Sequence, residues 1–361
     1  ETMSQHLYPK CFVGIDLGAT NAKAGVIDEK GNLLSSSVVP LFSAEDPTKS
    51  SDSHEPHIVI SKLVSCVHNA VSMSQITYDD VISVGVGSPG HVYNGVVKAA
   101  ANFPVWKDVP LAALLEEALG KPVRLVNDAD AALLAECWVG AAAGETNVVM
   151  ITLGSGVGAA AFCNGSLLVG TRGLIEAGHS IVDSSDSARR CGCGQHGCIE
   201  AYASANSVRS RFQEGQDALV SVSGEEREGE EAEPLSTSDI FALASYSNND
   251  TKSELARSII TETARLIALF CINICRFFDP ALILIGYQPF LLNDLFLYLC
   301  FCFVCVCVLV VVWRMREMFC LNPFELNLRS KDGQYFLMSP KFALLLLVET
   351  PVLLEQLQQS R

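Results

Sequence analysis

The chain has 361 residues, enough for a large core and for two domains of ordinary size. Its formal net charge of −15 excludes nucleic acid and anionic membrane surfaces as main partners, because both select for Lys and Arg. Fourteen cysteines form no regular disulfide framework, and no apolar leader of signal-peptide type opens the chain, so a reducing cytoplasm is the expected compartment.

The first elements read as a β-meander. "CFVGIDL" (Cys11–Leu17) is a strand that turns at Gly18, "AKAGVID" a second, and "NLLSSSVV" a third after the turn at Lys30 and Gly31. Apolar spacing near 3.6 from Ile58 to Val71 predicts a helix, and "DVISVGVGSPG" a buried strand ending in a Gly/Pro loop. A helix at Leu111–Ala118, a strand at Pro122–Val126 and a helix from Ala129 to Trp138 follow. "NVVMITLGSGVGAAAFCNGSLLVG" repeats the strand, Gly turn and strand of the N-terminus, which points to two related α/β halves. Residues 214–233 are glutamate-rich and read as a solvated loop. Residues 251–278 predict a long helix, and "DPALILIG" a short buried strand. From Leu295 to Trp313 an uncharged apolar run is long enough to span about 30 Å of hydrocarbon as a helix, although it is unusually rich in Cys and β-branched residues.

Several stretches carry chemistry. In "GIDLGATNAK" a strand delivers Asp16 to a turn where Gly18 lets the backbone approach an anion. Thr20 and Asn21 add donors there, and Lys23 is near. The turn suits nucleotide phosphates with Asp16 toward Mg²⁺, but an ordinary Gly/Asn hairpin fits the same residues. "TLGSGVG", with Gly154, Ser155 and Gly156, is a second loop of this kind. Both precede strands, unlike the single loop before a helix in P-loop and Rossmann folds. In "VNDADAALLAE", Asn127 and Asp128 stand between a strand and a helix. Asp128 can act there as a general base toward a hydroxyl, or the pair can simply cap the helix, with Asp130 favoured by the helix dipole.

The most specific signal is His179 followed by "CGCGQHGC", the pattern H-x11-C-x-C-x4-C. His179, Cys191, Cys193 and Cys198 make the donor set of a tetrahedral structural zinc site. A Cys-x-Cys disulfide is strained, and a redox site of thioredoxin type needs C-x-x-C. A nucleic-acid ribbon would bring two C-x-x-C pairs and more basic neighbours than Arg189 and Arg190.

The ordered set "GIDLGATN", "GVGSPGHV", "NFPVWKDVPL", "NDADAALLAE", "TLGSGVG", "EAGH" and "CGCGQHGCIEAYAS" resembles the ROK family of glucokinases, related hexose kinases, N-acetylmannosamine kinases and sugar-responsive repressors. The resemblance covers roughly residues 11–285. It implies an α/β, two-domain actin/hexokinase-like ATPase fold, related to ribonuclease H, with a cleft between the domains. It implies ATP-dependent phosphorylation of a hexose, glucose first, with an N-acetylmannosamine kinase as one alternative and a non-catalytic sugar-binding member as another. Asp128 would be the base. Gly90, Asn102, Asn127, Glu176, His179 and Glu200 would hold the sugar, His179 using its second ring nitrogen. Asp16, Gly18, Thr20, Asn21, Gly154, Ser155 and Gly156 would cradle ATP and Mg²⁺, with Lys23 beside them. The family also suggests a homodimer, with sugar and ATP as partners and no nucleic acid. Only ten residues precede Cys11, too few for a repressor's helix-turn-helix.

The expected domains are 11–126, with the first phosphate loop and part of the sugar site, and 127–286, with Asp128, the second loop and the zinc motif. From Tyr287 to Arg361 the family pattern is lost. Two readings stand for that tail: non-homologous sequence such as a read-through intron, or a membrane anchor at 295–313.

Overall fold

The computed structural model describes residues 10–42, 54–173, 175–223, 235–245 and 250–287, together with short strands at 309–314, 328–329, 335–336 and 344–346. The chain divides into a unit of Glu1–Val139 with Val169–Ile175 and a unit of Gly140–Leu168 with Glu176–Arg361.

Alternation builds the first unit. In β1 (Cys11–Leu17) every second residue is buried, the period of a pleated strand. β2 (Asn21–Asp28) and β3 (Leu33–Pro40) follow antiparallel. α1 (Pro56–Ser72) has Pro in its first turn and lays the stripe Val59, Leu63, Cys66, Val67 and Ala70 across β2 and β3. Each fully buried Leu or Val of this kind is worth about 1.5–3 kcal/mol. β4 (Val81–Ser88) runs parallel to β1. The hairpin β5 (His91–Tyr93) and β6 (Val96–Ala99) leads to α2 (Leu111–Leu119), which Gly120 ends at a left-handed φ of 62°. β7 (Val123–Asn127) pairs parallel with β4, and α3 (Asp128–Val139) follows at once. The sheet order is β3-β2-β1-β4-β7.

The second unit repeats that plan. β8 (Val148–Leu153), β9 (Val157–Cys163) and β10 (Ser166–Leu167) form the antiparallel meander. α4 (Glu200–Ala203), α5 (Ala205–Ser223), α6 (Thr237–Ser245) and α7 (Thr251–Phe278) pack into one core with the sheet. Asp250 caps α7, accepting from the Ser253 N–H at 2.8 Å. β11 (Leu282–Tyr287) pairs parallel with β8, and β12 (Leu309–Arg314) parallel with β11. β13 (Leu328–Arg329) and β14 (Tyr335–Phe336) form a separate pair, and β15 (Leu344–Leu346) closes the main sheet, whose order is β10-β9-β8-β11-β12-β15. The first five strands match the five of the first unit in order and direction.

Four expectations change. The boundary expected at 126/127 falls after Val139, because α3 packs on β4 and β7, and Gly87 faces the Ala131 Cβ. Asp128 therefore belongs to the first unit. Residues 169–175 also return to that unit: His91 Nε2 lies 2.6 Å from the Arg172 carbonyl. The acidic stretch is not wholly a loop, since α5 runs to Ser223, with Phe212 buried and Glu214 paired to Arg189; 224–233 lies outside the described residues. In the apolar run expected as a spanning helix, 309–314 forms strand β12, as suits its β-branched "LVVVW" beside a parallel neighbour; 295–308 lies outside the described residues. Among the described residues, α7 alone is long and apolar enough to cross a membrane, and most of that stretch is buried in the core.

Candidate functional site

In the first unit β1 carries Asp16 to the tight turn before β2. The Gly18 N–H donates to the Asn21 carbonyl at 3.0 Å, and a Cβ on Gly18 would stand 2.8 Å from that oxygen. Glycine is therefore required by the turn itself. Asn21 Nδ2 donates to Thr20 Oγ1 at 3.1 Å, and both side chains are exposed. Asp16 and Lys23 face each other across the hairpin with Nζ 3.6 Å from Oδ2.

The end of β7 lies beside the Gly/Pro loop after β4. Asn127 Nδ2 donates to the Gly90 carbonyl at 3.0 Å, and Asn127 Oδ1 accepts from the Ala129 N–H at 2.9 Å. The same N–H also donates to Asp128 Oδ1 at 2.9 Å, so Asn127 and Asp128, the exposed first residue of α3, share it. Gly90 has φ 85°, and a Cβ there would lie 2.3 Å from the Ala99 carbonyl. Asn102 is exposed in a turn anchored by the buried, stacked rings of Phe103 and Trp106.

In the second unit the Gly154–Gly156 turn is held from behind by the start of α5. The Ala205 N–H donates to the Gly154 carbonyl at 2.8 Å and Asn206 Nδ2 to the Ser155 carbonyl at 2.9 Å. Glu200, expected only as a sugar ligand, also grips this turn: its Oε2 accepts from the Val157 N–H at 3.0 Å. A Cβ on Gly156 would sit 2.6 Å from that oxygen. Glu176 is exposed and stands just before the short turn of helix Ala177–His179.

His179, Cys191, Cys193 and Cys198 converge, their ligand atoms all within 4.8 Å of one another. His179 Nδ1 is 3.5 Å from Cys191 Sγ, and the Cys193 and Cys198 sulfurs are 3.6 Å apart. A Zn–S bond of about 2.3 Å puts tetrahedral ligands about 3.8 Å apart, so the spacing fits a zinc ion. Nδ1 is the nitrogen turned to the cluster. Burial pushes the Cys191 thiol up, and burial with the neighbouring thiols pushes Cys198 up to about 12. The exposed Cys193 goes the other way through a hydrogen bond from the Gln195 backbone. With a zinc ion bound the three sulfurs would be thiolates, their charge balanced by the dication. None of the nine cysteines among the described residues forms a disulfide.

The expected sugar ligands are thus shared out. Gly90, Asn102, Asn127 and Asp128 lie in the first unit, and Glu176, His179 and Glu200 in the second, with one Gly turn in each. The sequence reading passed over Tyr202, Asn206 and Arg211, because such types near a helix start read as core, cap and surface.

The sequence profile of the ROK family matches residues 12–289. The chain belongs to the ROK family. Among its relatives, the glucokinase of Thermotoga maritima is 35% identical over 207 residues, covering 56% of this chain and 60% of that enzyme, so this match spans less than two thirds of that relative. The xylose repressor of Caldicellulosiruptor bescii is 26% identical over 291 residues, 79% of this chain and 68% of the repressor. The crystal structure of a ROK glucokinase from Streptomyces griseus in complex with glucose and AMPPNP superposes with a TM-score of 0.61 at 26% identity, covering 80% of this chain and 88% of that one. The fold is the mixed α/β, actin-like ATPase fold of ROK hexokinases and glucokinases, and the His/Cys cluster matches the zinc motif of the family.

Proposed function

We propose that this ROK protein is an ATP-dependent hexose kinase that converts glucose to glucose 6-phosphate. The observation that carries the reading is Asp128, exposed at the head of α3 where strand β7 passes into the helix. As the sugar 6-oxygen bonds the γ-phosphorus and ADP departs, Asp128 accepts the hydroxyl proton. Asn127, Asn102 and the Gly90 backbone hold neighbouring hydroxyls, joined by Glu176, Glu200 and His179. Gly18, Thr20 and Asn21, with Gly154, Ser155 and Gly156, receive the phosphates, and Lys23 adds a positive charge near them. Asp16 would hold Mg²⁺, which when bound neutralises phosphate charge. His179, Cys191, Cys193 and Cys198 hold a structural zinc. Its effect on the chain is to fix His179 and the segment leading to Glu200.

The similarity to a xylose repressor favours a second reading, sugar binding without catalysis, which Asp128 speaks against. Within the kinases, N-acetylmannosamine is the rival substrate. The test is an ATP-dependent phosphorylation assay over hexoses and N-acetylhexosamines, with Asp128→Asn alongside. Glucose binding without phosphate transfer would favour the repressor-like reading, and an undiminished mutant would remove Asp128 as base.

A further inference from the structure

Eleven residues separate His179 from Cys191, too many for the ligands alone to fix their spacing. A side chain from outside that strap touches it near both ends. The Tyr202 hydroxyl donates to Asp183 Oδ2 at 2.5 Å and accepts from the Arg189 backbone N–H at 2.9 Å. Asp183 follows His179 by four residues, and Arg189 precedes Cys191 by two. Tyr202 is only 3% exposed and is itself anchored. Its carbonyl accepts from Arg211 NH1 at 3.0 Å, and the Arg211 guanidinium lies 5.7 Å from its ring centroid. Arg211, 7% exposed, bonds Thr263 Oγ1 at 2.8 Å and pairs with Glu262, so the anchor reaches the long core helix α7. Glu200 stands two residues before Tyr202 on α4, gripping the Gly154–Gly156 turn.

Backbone bonds also cross the strap, from Val182 N–H to the Gly197 carbonyl and from Gly197 N–H to the Arg189 carbonyl, both 2.8 Å. These bonds tie the strap to the Cys193–Cys198 loop. Tyr202 ties it to the core helices. Without the hydroxyl, the Ile199–Ser180 backbone bond and the Arg189–Glu214 ion pair remain, but the strap loses the one side chain that bonds both Asp183 and Arg189.

We propose that Tyr202 is a positioning residue: its hydroxyl sets the span of the 183–189 strap so that His179 and Cys191 reach one metal ion while Glu200 is held in place. The inference rests on the zinc and sugar-site assignments above. Full-length wild type, Tyr202→Phe, Asp183→Ala and Asp183→Asn are compared for metal content, zinc release to a colorimetric chelator, and KM and kcat for the best hexose. Tyr202→Phe and Asp183→Ala should release zinc about 10- to 100-fold faster, the usual scale for losing a group that orients metal ligands. Both should raise KM for the sugar several-fold, with kcat at saturation changed by less than about twofold. Asp183→Asn retains an acceptor for the hydroxyl and should stay near wild type. Lower melting temperatures with wild-type zinc release and KM would overturn the proposal while leaving the zinc assignment intact. Wild-type protein carrying no zinc would overturn both. If Tyr202→Phe fails to fold, the Asp183 pair decides.

Discussion

Gly178 and Gly156 show how a single Cβ separates folding from function. A Cβ on Gly178 would stand 1.9 Å from the Val157 carbonyl, against backbone that cannot yield. Gly178→Ala should therefore destabilise the second unit by about 1–3 kcal/mol or more, read as a lowered urea midpoint. On Gly156 the close atom is the end of the Glu200 side chain, which can move. Gly156→Ala should fold and instead raise sugar and ATP KM together, because it displaces the carboxylate from Val157; unchanged KM values would remove Glu200 from the site. Asp128→Asn should lower kcat about 10²- to 10⁴-fold with sugar affinity largely kept, measured by rapid-mix kinetics and calorimetry. Asp128 and Asn127 were both legible in the sequence as a polar pair at a strand end. The bond from Asn127 to the Gly90 carbonyl was not, because Gly90 is distant along the chain.

At the scale of elements, α4 and the strap illustrate how a polar network sets pH dependence. The Tyr202 hydrogen bond, with others from Ser185, holds the Asp183 carboxyl below its ordinary value. A carboxylate whose folded pKa is depressed contributes stability above its unfolded value of about 3.9 and loses it as pH falls through the lower folded value. Asp183→Asn should remove this acid-side dependence together with the stability the charged form adds near neutrality, so that its melting temperature lies below wild type at pH 7 and converges on it as pH falls, checked by thermal melts from pH 2.5 to 7. The long helix α7 was legible to the residue, since its apolar spacing and Asp250 cap are local signals. The 169–175 return to the first unit was not, because the Arg172–His91 bond and the close approach of Gly173 to Val92 join positions that only folding brings near.

Across the whole molecule, two sheets of matching order carry one Gly turn each, the duplication suggested by the repeated hairpin. β12 occupies in the second sheet the place that β7 holds in the first. Val311 lies between Leu284 of β11 and Leu345 of β15. Val311→Pro removes a ladder donor and should cost the second unit about 1–3 kcal/mol, leaving the first unaffected. Hydrogen exchange should show faster opening in β11 and no change in β1 to β4; unaltered exchange in β11 would mean that β12 contributes nothing to the sheet.

The sequence by itself determined the strands of the two meanders with β4, β7 and β11, the long helix, both Gly turns and the four-ligand cluster, because each rests on spacing within a few residues or on glycine at one turn. It also carried the family, through motifs in a fixed order. Only the tertiary structure decided that α3 and Asp128 belong to the first unit, that part of the apolar tail is a sheet strand, and that Glu200 holds a Gly turn. Those outcomes depend on which surface each segment buries and on hydrogen bonds between residues far apart in the chain, neither of which the local pattern encodes.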